Sequence, residues 1–176
     1  MNHAMTISPF EPLHKLPFLR LDRGFQPCCA EAGDELYPNG IFEFNITRLL
    51  AFIHAHTDCF PTEFVELVDI PGCGGSLDEA AVGAADLSRP IVLAEIAPGR
   101  YNLIDGHHRV AKARREKVRR LPAHRVRCPE HVAFLTSTRA YETYVEYWNS
   151  KLDDRPSRTR RRRRREQASL NARDSS

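Results

Sequence analysis

Apolar and polar positions change period several times along this chain of 176 residues. Ile46, Leu49, Leu50 and Ile53 recur at three- and four-residue steps, which places them on one face of a helix, and Asn45 stands where an N-cap is wanted. Ahead of it, Asn39-Gly40 marks a turn and residues 41–44 a short strand. Residues 64–70 alternate toward a strand that stops at Pro71-Gly72, and residues 77–87 read as a small Ala-rich helix. A strand over residues 90–96, a Pro98-Gly99 turn and a second strand over 101–104 lead into Asp105-Gly106 and a helix over 107–117. A strand near 122–126 and a helical segment over 129–152 complete the pattern. In that last segment Phe134, Tyr141, Tyr144, Tyr147 and Trp148 are spaced for packing and read as core, not as a platform for stacked bases. Pro9, Pro12, Pro17, Pro27 and Pro38 interrupt every period before residue 39, so an irregular arm packed over the domain is expected there. Helices and short strands in this order give an α+β domain.

Composition divides the chain without changing that class. An apolar content of 41% over this length suits one modest core. We expect an irregular N-terminal arm over residues 1–38, a domain over 39–152 and a tail over 153–176. No apolar run approaches the ~20 residues that span a bilayer, and the first residues lack the pattern of a secretory leader, so a cytoplasmic protein with no membrane partner is expected. The five cysteines, Cys28, Cys29, Cys59, Cys73 and Cys128, form no Cys-x-x-Cys pair, which argues against a disulfide scaffold or a structural zinc site. His54, His56 and Cys59 lie close in sequence, but positions two apart on a helix point to different faces, so they are not read as a metal site. The Gly-rich residues 72–75 lack the Lys-Ser/Thr ending of a phosphate loop.

Charge is placed unevenly. Residues 155–176 hold nine arginines against Glu166 and Asp174, a formal +7, which leaves −4 for the other 154 residues of a chain whose total is +3. The run Arg160, Arg161, Arg162, Arg163, Arg164 and Arg165 has no apolar surface to bury and is expected to be disordered in isolation. Its candidate partner is DNA, RNA or another polyanion. A second basic stretch, from Arg109 to Arg127, carries nine Lys and Arg against Glu116 alone. Beyond Arg109 these are read as a solvated face.

The densest chemistry lies in Asp105-Gly106-His107-His108-Arg109. A first helical turn has backbone N–H groups with no partner inside the helix and carries the positive end of the macrodipole, so a phosphate or carboxylate is its natural occupant. Gly106 allows close approach of a ligand, His107 and His108 add ring nitrogens, and Arg109 adds a planar fork of donors. The same spacing also suits a plain strand-to-helix turn in which Asp105 only caps the helix.

These residues, followed by Val110, Ala111 and Ala113, resemble the Gly-x-His/Arg-Arg box of the ParB/sulfiredoxin-like superfamily, the fold called ParB-like nuclease in many bacterial proteins. The Pro90-Ile91-Val92 strand before the box and the strand around residues 118–126 after it are similar to the flanking passages of that superfamily. The resemblance covers residues 64–126, about a third of the chain, and implies a small mixed sheet with flanking helices. It also implies a nucleotide or phosphorylated small molecule held by Gly106, His107, His108 and Arg109, with Mg²⁺ as companion ion on Asp105. Partition proteins carry Glu after the Gly where this chain has His107, and the residues after Val126 are too few for their DNA-reading module. Free-serine kinases of the superfamily have an Asp-Gly-His box similar to this one. For a phosphotransferase or nucleotide hydrolase, Asp105 and His107 are the implied catalytic residues, with Glu66, Asp69 or Glu79 as an additional carboxylate. Sulfiredoxin has a cysteine where this chain has His107, and imidazole cannot replace a thiol in that chemistry. A third reading makes the folded part a scaffold and gives the binding to the arginine tail.

Overall fold

The computed structural model describes residues 17–70 and 77–153. The six tail arginines, the Gly-rich residues 72–75, Cys73 and the first part of the expected arm lie outside the described residues. What is described is a mixed α+β arrangement: a two-stranded hairpin, a four-stranded sheet and four α-helices.

The hairpin pairs β1 (Leu36–Asn39) with β2 (Phe42–Asn45) across the Asn39-Gly40 turn, where Gly40 has φ +67°. The first strand thus begins inside the segment expected to be irregular. Its burial alternates, with Tyr37 and Asn39 half-buried and Leu36 and Pro38 exposed, and proline in a short edge strand takes no donor from a ladder. Asn45 then caps α1 (Ile46–Ala55), its side chain accepting from the Arg48 amide at 3.0 Å while its Nδ2 donates to Asp34 Oδ2 at 2.7 Å. Ile46, Leu49 and Ile53 are buried on the face that the spacing predicts.

The sheet has the order β3 (Glu63–Glu66), β6 (Arg120–Val126), β4 (Ile91–Ala97), β5 (Arg100–Asp105). β4 runs parallel to β6 and antiparallel to β5, and β3 runs antiparallel to β6. β3 is shorter than the alternation over residues 64–70 predicts. Its partner runs out at the Glu66–Arg120 pair, the Leu67 amide bonds to Arg119 O at 2.8 Å, and Leu67–Asp69 closes into a 3-10 turn. Without a strand to pair with, the alternating residues have no ladder to join.

All seven residues of β4 are buried because both faces of the sheet are covered. On one face Ile91, Leu93, Leu103, Leu121 and Ala123 pack with Val110 and Ala113 of α3 (His107–Arg115), near the short α2 (Glu79–Ala84). On the other, Val92, Ala94, Ile104 and Val126 pack with the hairpin, α1 and α4 (Thr138–Asp153). Tyr141, Tyr144 and Trp148 are buried there, with Phe134 and Tyr147 packed at the margin, so the aromatic set is core as its spacing predicts. The arm over residues 17–35 crosses α4: Leu19 exchanges two hydrogen bonds with Asn149, and Phe25 stacks on Tyr141 at 4.0 Å. Among the described residues no helix is long and apolar enough to cross a membrane.

Candidate functional site

β5 delivers Asp105 to the sheet edge next to the start of α3, and Gly106 turns the chain into the helix with φ +99°. A Cβ built at Gly106 would lie 2.5 Å from Ile91 Cγ2 and 3.0 Å from Arg109 Nε, so glycine is required on both backbone and packing grounds. Gly106 itself is the N-cap, and no side chain caps the helix. Asp105 therefore does not act as a cap. Its Oδ2 accepts from Arg109 Nη2 at 2.6 Å, one helical turn on, and the two side chains are only 16% and 14% exposed. Pairing at this depth holds the guanidinium over the first turn. It leaves Arg109 Nε buried and without an acceptor among the described residues. Buried donors of this kind carry a desolvation penalty until an acceptor arrives.

His107 packs its ring against Tyr37 of the hairpin, with centroids 4.6 Å apart. Burial pushes its pKa below the ordinary histidine value, more strongly than the neighbouring Asp105 carboxylate raises it, so the ring is neutral at pH 7. His108 is half-buried on the same turn. The wall supplied by Tyr37 was not legible in the sequence: it comes from a residue seventy positions earlier, inside the segment read as an arm. Next to it Asn39 Oδ1 accepts from Asn102 at 3.3 Å, while Asn39 Nδ2 is a second buried donor without a partner among the described residues.

The candidate additional carboxylates do not reach this turn. Glu66 lies on β3, at the sheet edge opposite β5, and pairs with Arg120 at 2.5 Å. Glu79 forms a two-pronged pair with Arg115, at 2.6 and 2.7 Å, in the last turn of α3. Asp69 lies in the 3-10 turn beside Ile70, whose carbonyl accepts from Arg114 at 2.9 Å, again near the end of α3. Nine helical residues span about 13 Å, so Glu79 and Asp69 belong to the far end of the helix, and Glu66 to the far edge of the sheet. Among the described residues no three His, Cys, Asp or Glu side chains converge on a cation position, and Asp105 stands as the one carboxylate at the turn. His54 is exposed on α1 and His56 Nδ1 lies 2.9 Å from Phe52 O, so this pair with Cys59 makes no metal cluster.

The basic stretch after Arg109 is a solvated face, with Arg114, Arg115, Lys117, Arg119, Arg120 and Arg125 exposed, and several of its cations also have specific partners. Lys112 Nζ donates to Gly83 O and Ala85 O at 2.9 and 2.8 Å, tying α3 to the end of α2. Arg115, Arg120 and Arg125 pair with Glu79, Glu66 and Glu63. These contacts link α2 and β3 to the central elements, and the three ion pairs offset part of the positive stripe. Compared with family models, with curated proteins and with solved structures, the chain matches none.

Proposed function

We propose that the chain carries a ParB/sulfiredoxin-like domain that binds a nucleotide or phosphorylated small molecule at the turn formed by Asp105, Gly106, His107, His108 and Arg109. One observation carries the reading: an uncapped first helical turn lies beside a guanidinium whose Nε is buried without an acceptor among the described residues. A phosphate oxygen there would satisfy that donor and meet the positive end of the helix dipole. Binding is favoured over turnover, because Asp105 is engaged by Arg109 and is not a free base. Mg²⁺ fits this turn only as a companion of the ligand. Asp105 would supply one oxygen and the phosphates others, the usual arrangement for this ion.

The test is a thermal-shift panel of CTP, ATP, ADP, GTP and phosphoserine, with and without Mg²⁺. A ligand at ~100 times its Kd stabilises by about 2.7 kcal/mol, roughly 5–10 °C for a chain of this size. Arg109→Ala should abolish the shift. No shift with any ligand, or a shift that survives the substitution, refutes the proposal. Removing residues 155–176 separates the turn from the tail: loss of polyanion binding with retained nucleotide binding assigns them distinct roles.

A further inference from the structure

His131 lies in the 3-10 turn Glu130–Phe134 and has no exposed surface. Its Nδ1 is 3.0 Å from Arg127 O, a carbonyl that can only accept, so Nδ1 carries the proton and Nε2 is bare. Nε2 is buried with no partner among the described residues. The ring is flanked by Phe44 of β2 at 5.8 Å and stands edge-on to Tyr144 of α4 at 5.2 Å. Tyr144 is the titratable side chain against it, and its hydroxyl is already donated to Glu95 O at 2.9 Å. α1 meets the same turn through Phe52 against Phe134. Of the nearby carboxyls, Glu43 accepts from Thr136 and Glu95 accepts from the Gly99 and Cys128 amides. Glu130 is on the turn itself and is exposed as a residue, with partial desolvation of its carboxyl raising its pKa. Burial holds His131 at about 4, with no side-chain charge among the described residues offsetting it.

This turn is also where the arm is fastened. Cys28 donates its amide to Leu135 O at 2.9 Å, Leu135 bridges to Phe44, and the Thr136 amide bonds to Glu43 O. The arm continues over α4, where the Asp22 amide donates to Tyr141 Oη at 2.8 Å and Trp148 Nε1 donates to Pro17 O at 3.3 Å. Between arm, turn and α4 lies a cavity of about 410 Å³, lined by Leu19, Phe25, Pro129, Val132, Tyr141 and Val145. The seam between arm, turn and α4 is thus incompletely filled.

We propose that His131 is an acid latch: a proton taken up at Nε2 expels the turn from the core and frees the arm from α4, uncovering Trp148 and the cavity while the four-stranded sheet stays folded. Asp34, which anchors the arm further along, is held below the ordinary carboxylate range by its hydrogen bonds from Asn45 and the Glu31 amide, and so keeps its charge while His131 is protonated. Trp148 is the chain's single tryptophan, so all tryptophan emission comes from this seam, and dichroism separates its exposure there from global unfolding.

The experiment follows Trp148 emission and acrylamide quenching of the full chain from pH 7.5 to 4, together with far-UV circular dichroism. The wild type should show a red shift and a severalfold rise in quenching before the dichroism changes. His131→Gln and His131→Phe, neither of which can charge, should show neither. The proposal is overturned by the same transition in both variants, by a wild type that stays folded and unshifted to pH 4, or by fluorescence and dichroism changing together. Should neither variant fold, amide exchange of the wild type decides. The Leu19, Asp22 and Cys28 amides must lose protection ahead of those of β4, and uniform loss overturns the latch.

Discussion

Gly106→Ala is the sharpest test of the geometry at the turn. The new Cβ would sit 2.5 Å from Ile91 Cγ2 and 2.9 Å from Ile91 Cβ, at a residue held at φ +99°. A side chain in that backbone region costs about 1–3 kcal/mol, and forcing a methyl group into packed surroundings adds about 1–3 kcal/mol. The narrower unfolded ensemble of alanine returns up to about 1 kcal/mol. The expected net loss is therefore about 1–6 kcal/mol, read as a fall in the urea midpoint at constant m-value. Gly83→Ala is the control, since nothing lies within 4 Å of its Cβ position and its backbone is helical. It should be neutral or stabilising by up to about 1 kcal/mol. In an Ile91→Ala background, where the clashing Cγ2 is gone, the Gly106→Ala penalty should shrink by at least about 1 kcal/mol. A penalty below about 0.5 kcal/mol, or strict additivity with Ile91→Ala, would mean that the turn does not have the conformation described.

Other outcomes follow from the same contacts. Because the His131 pKa falls from 6.5 to about 4 on folding, the unfolded chain binds more protons between those values. Its contribution is intact above pH 6.5 and is lost as pH falls toward 4, reaching about 3 kcal/mol; a denaturation series across that window should flatten in His131→Gln by that amount. Asn45→Ala removes both the cap of α1 and the tie to Asp34, and should cost about 1–3 kcal/mol in chemical denaturation. The Arg115–Glu79 pair is 53% and 73% exposed, so Glu79→Ala should leave the urea midpoint close to that of the wild type despite the pair's good geometry. Burial pushes the Cys128 thiol up to about 12, so iodoacetamide at pH 8 should label exposed Cys29 and Cys59 and spare Cys128 until the chain is unfolded.

The parts of the fold that were legible in the sequence are those fixed by local chemistry. Asn45 caps a helix because its side chain reaches an amide three residues on, and the Ile46, Leu49, Ile53 stripe is buried because a 3.6-residue period leaves it one face to cover. The Asp-Gly box lies at a strand-to-helix turn for the same local reason. What the sequence hides is long-range. Nothing near Tyr37 announces that it packs on His107, and nothing near Glu79 or Glu66 announces that each is neutralised by a specific arginine of α3 or β6. Asp105 was ambiguous between cap, base and metal ligand because all three roles ask for the same residue. Its pairing with Arg109 depends on how deeply the edge of β5 is covered, a property of the packed sheet and not of the five-residue box.

The strand order has a consequence for how this chain emerges from a ribosome. Of the four strands of this sheet β6 is made last, yet it lies between β3 and β4, and Glu63 meets Ala123 only after the fifty-nine residues between them have been synthesised. Until then the β4–β5 hairpin is the only part of that sheet that can pair, and β3 waits with Phe64, 70% exposed even in the finished fold, next to Val65 that has no core to enter. Closing so wide a loop is slow relative to helix and hairpin formation. Nascent chains halted before residue 120 should accordingly hold chaperones that those released beyond residue 126 do not.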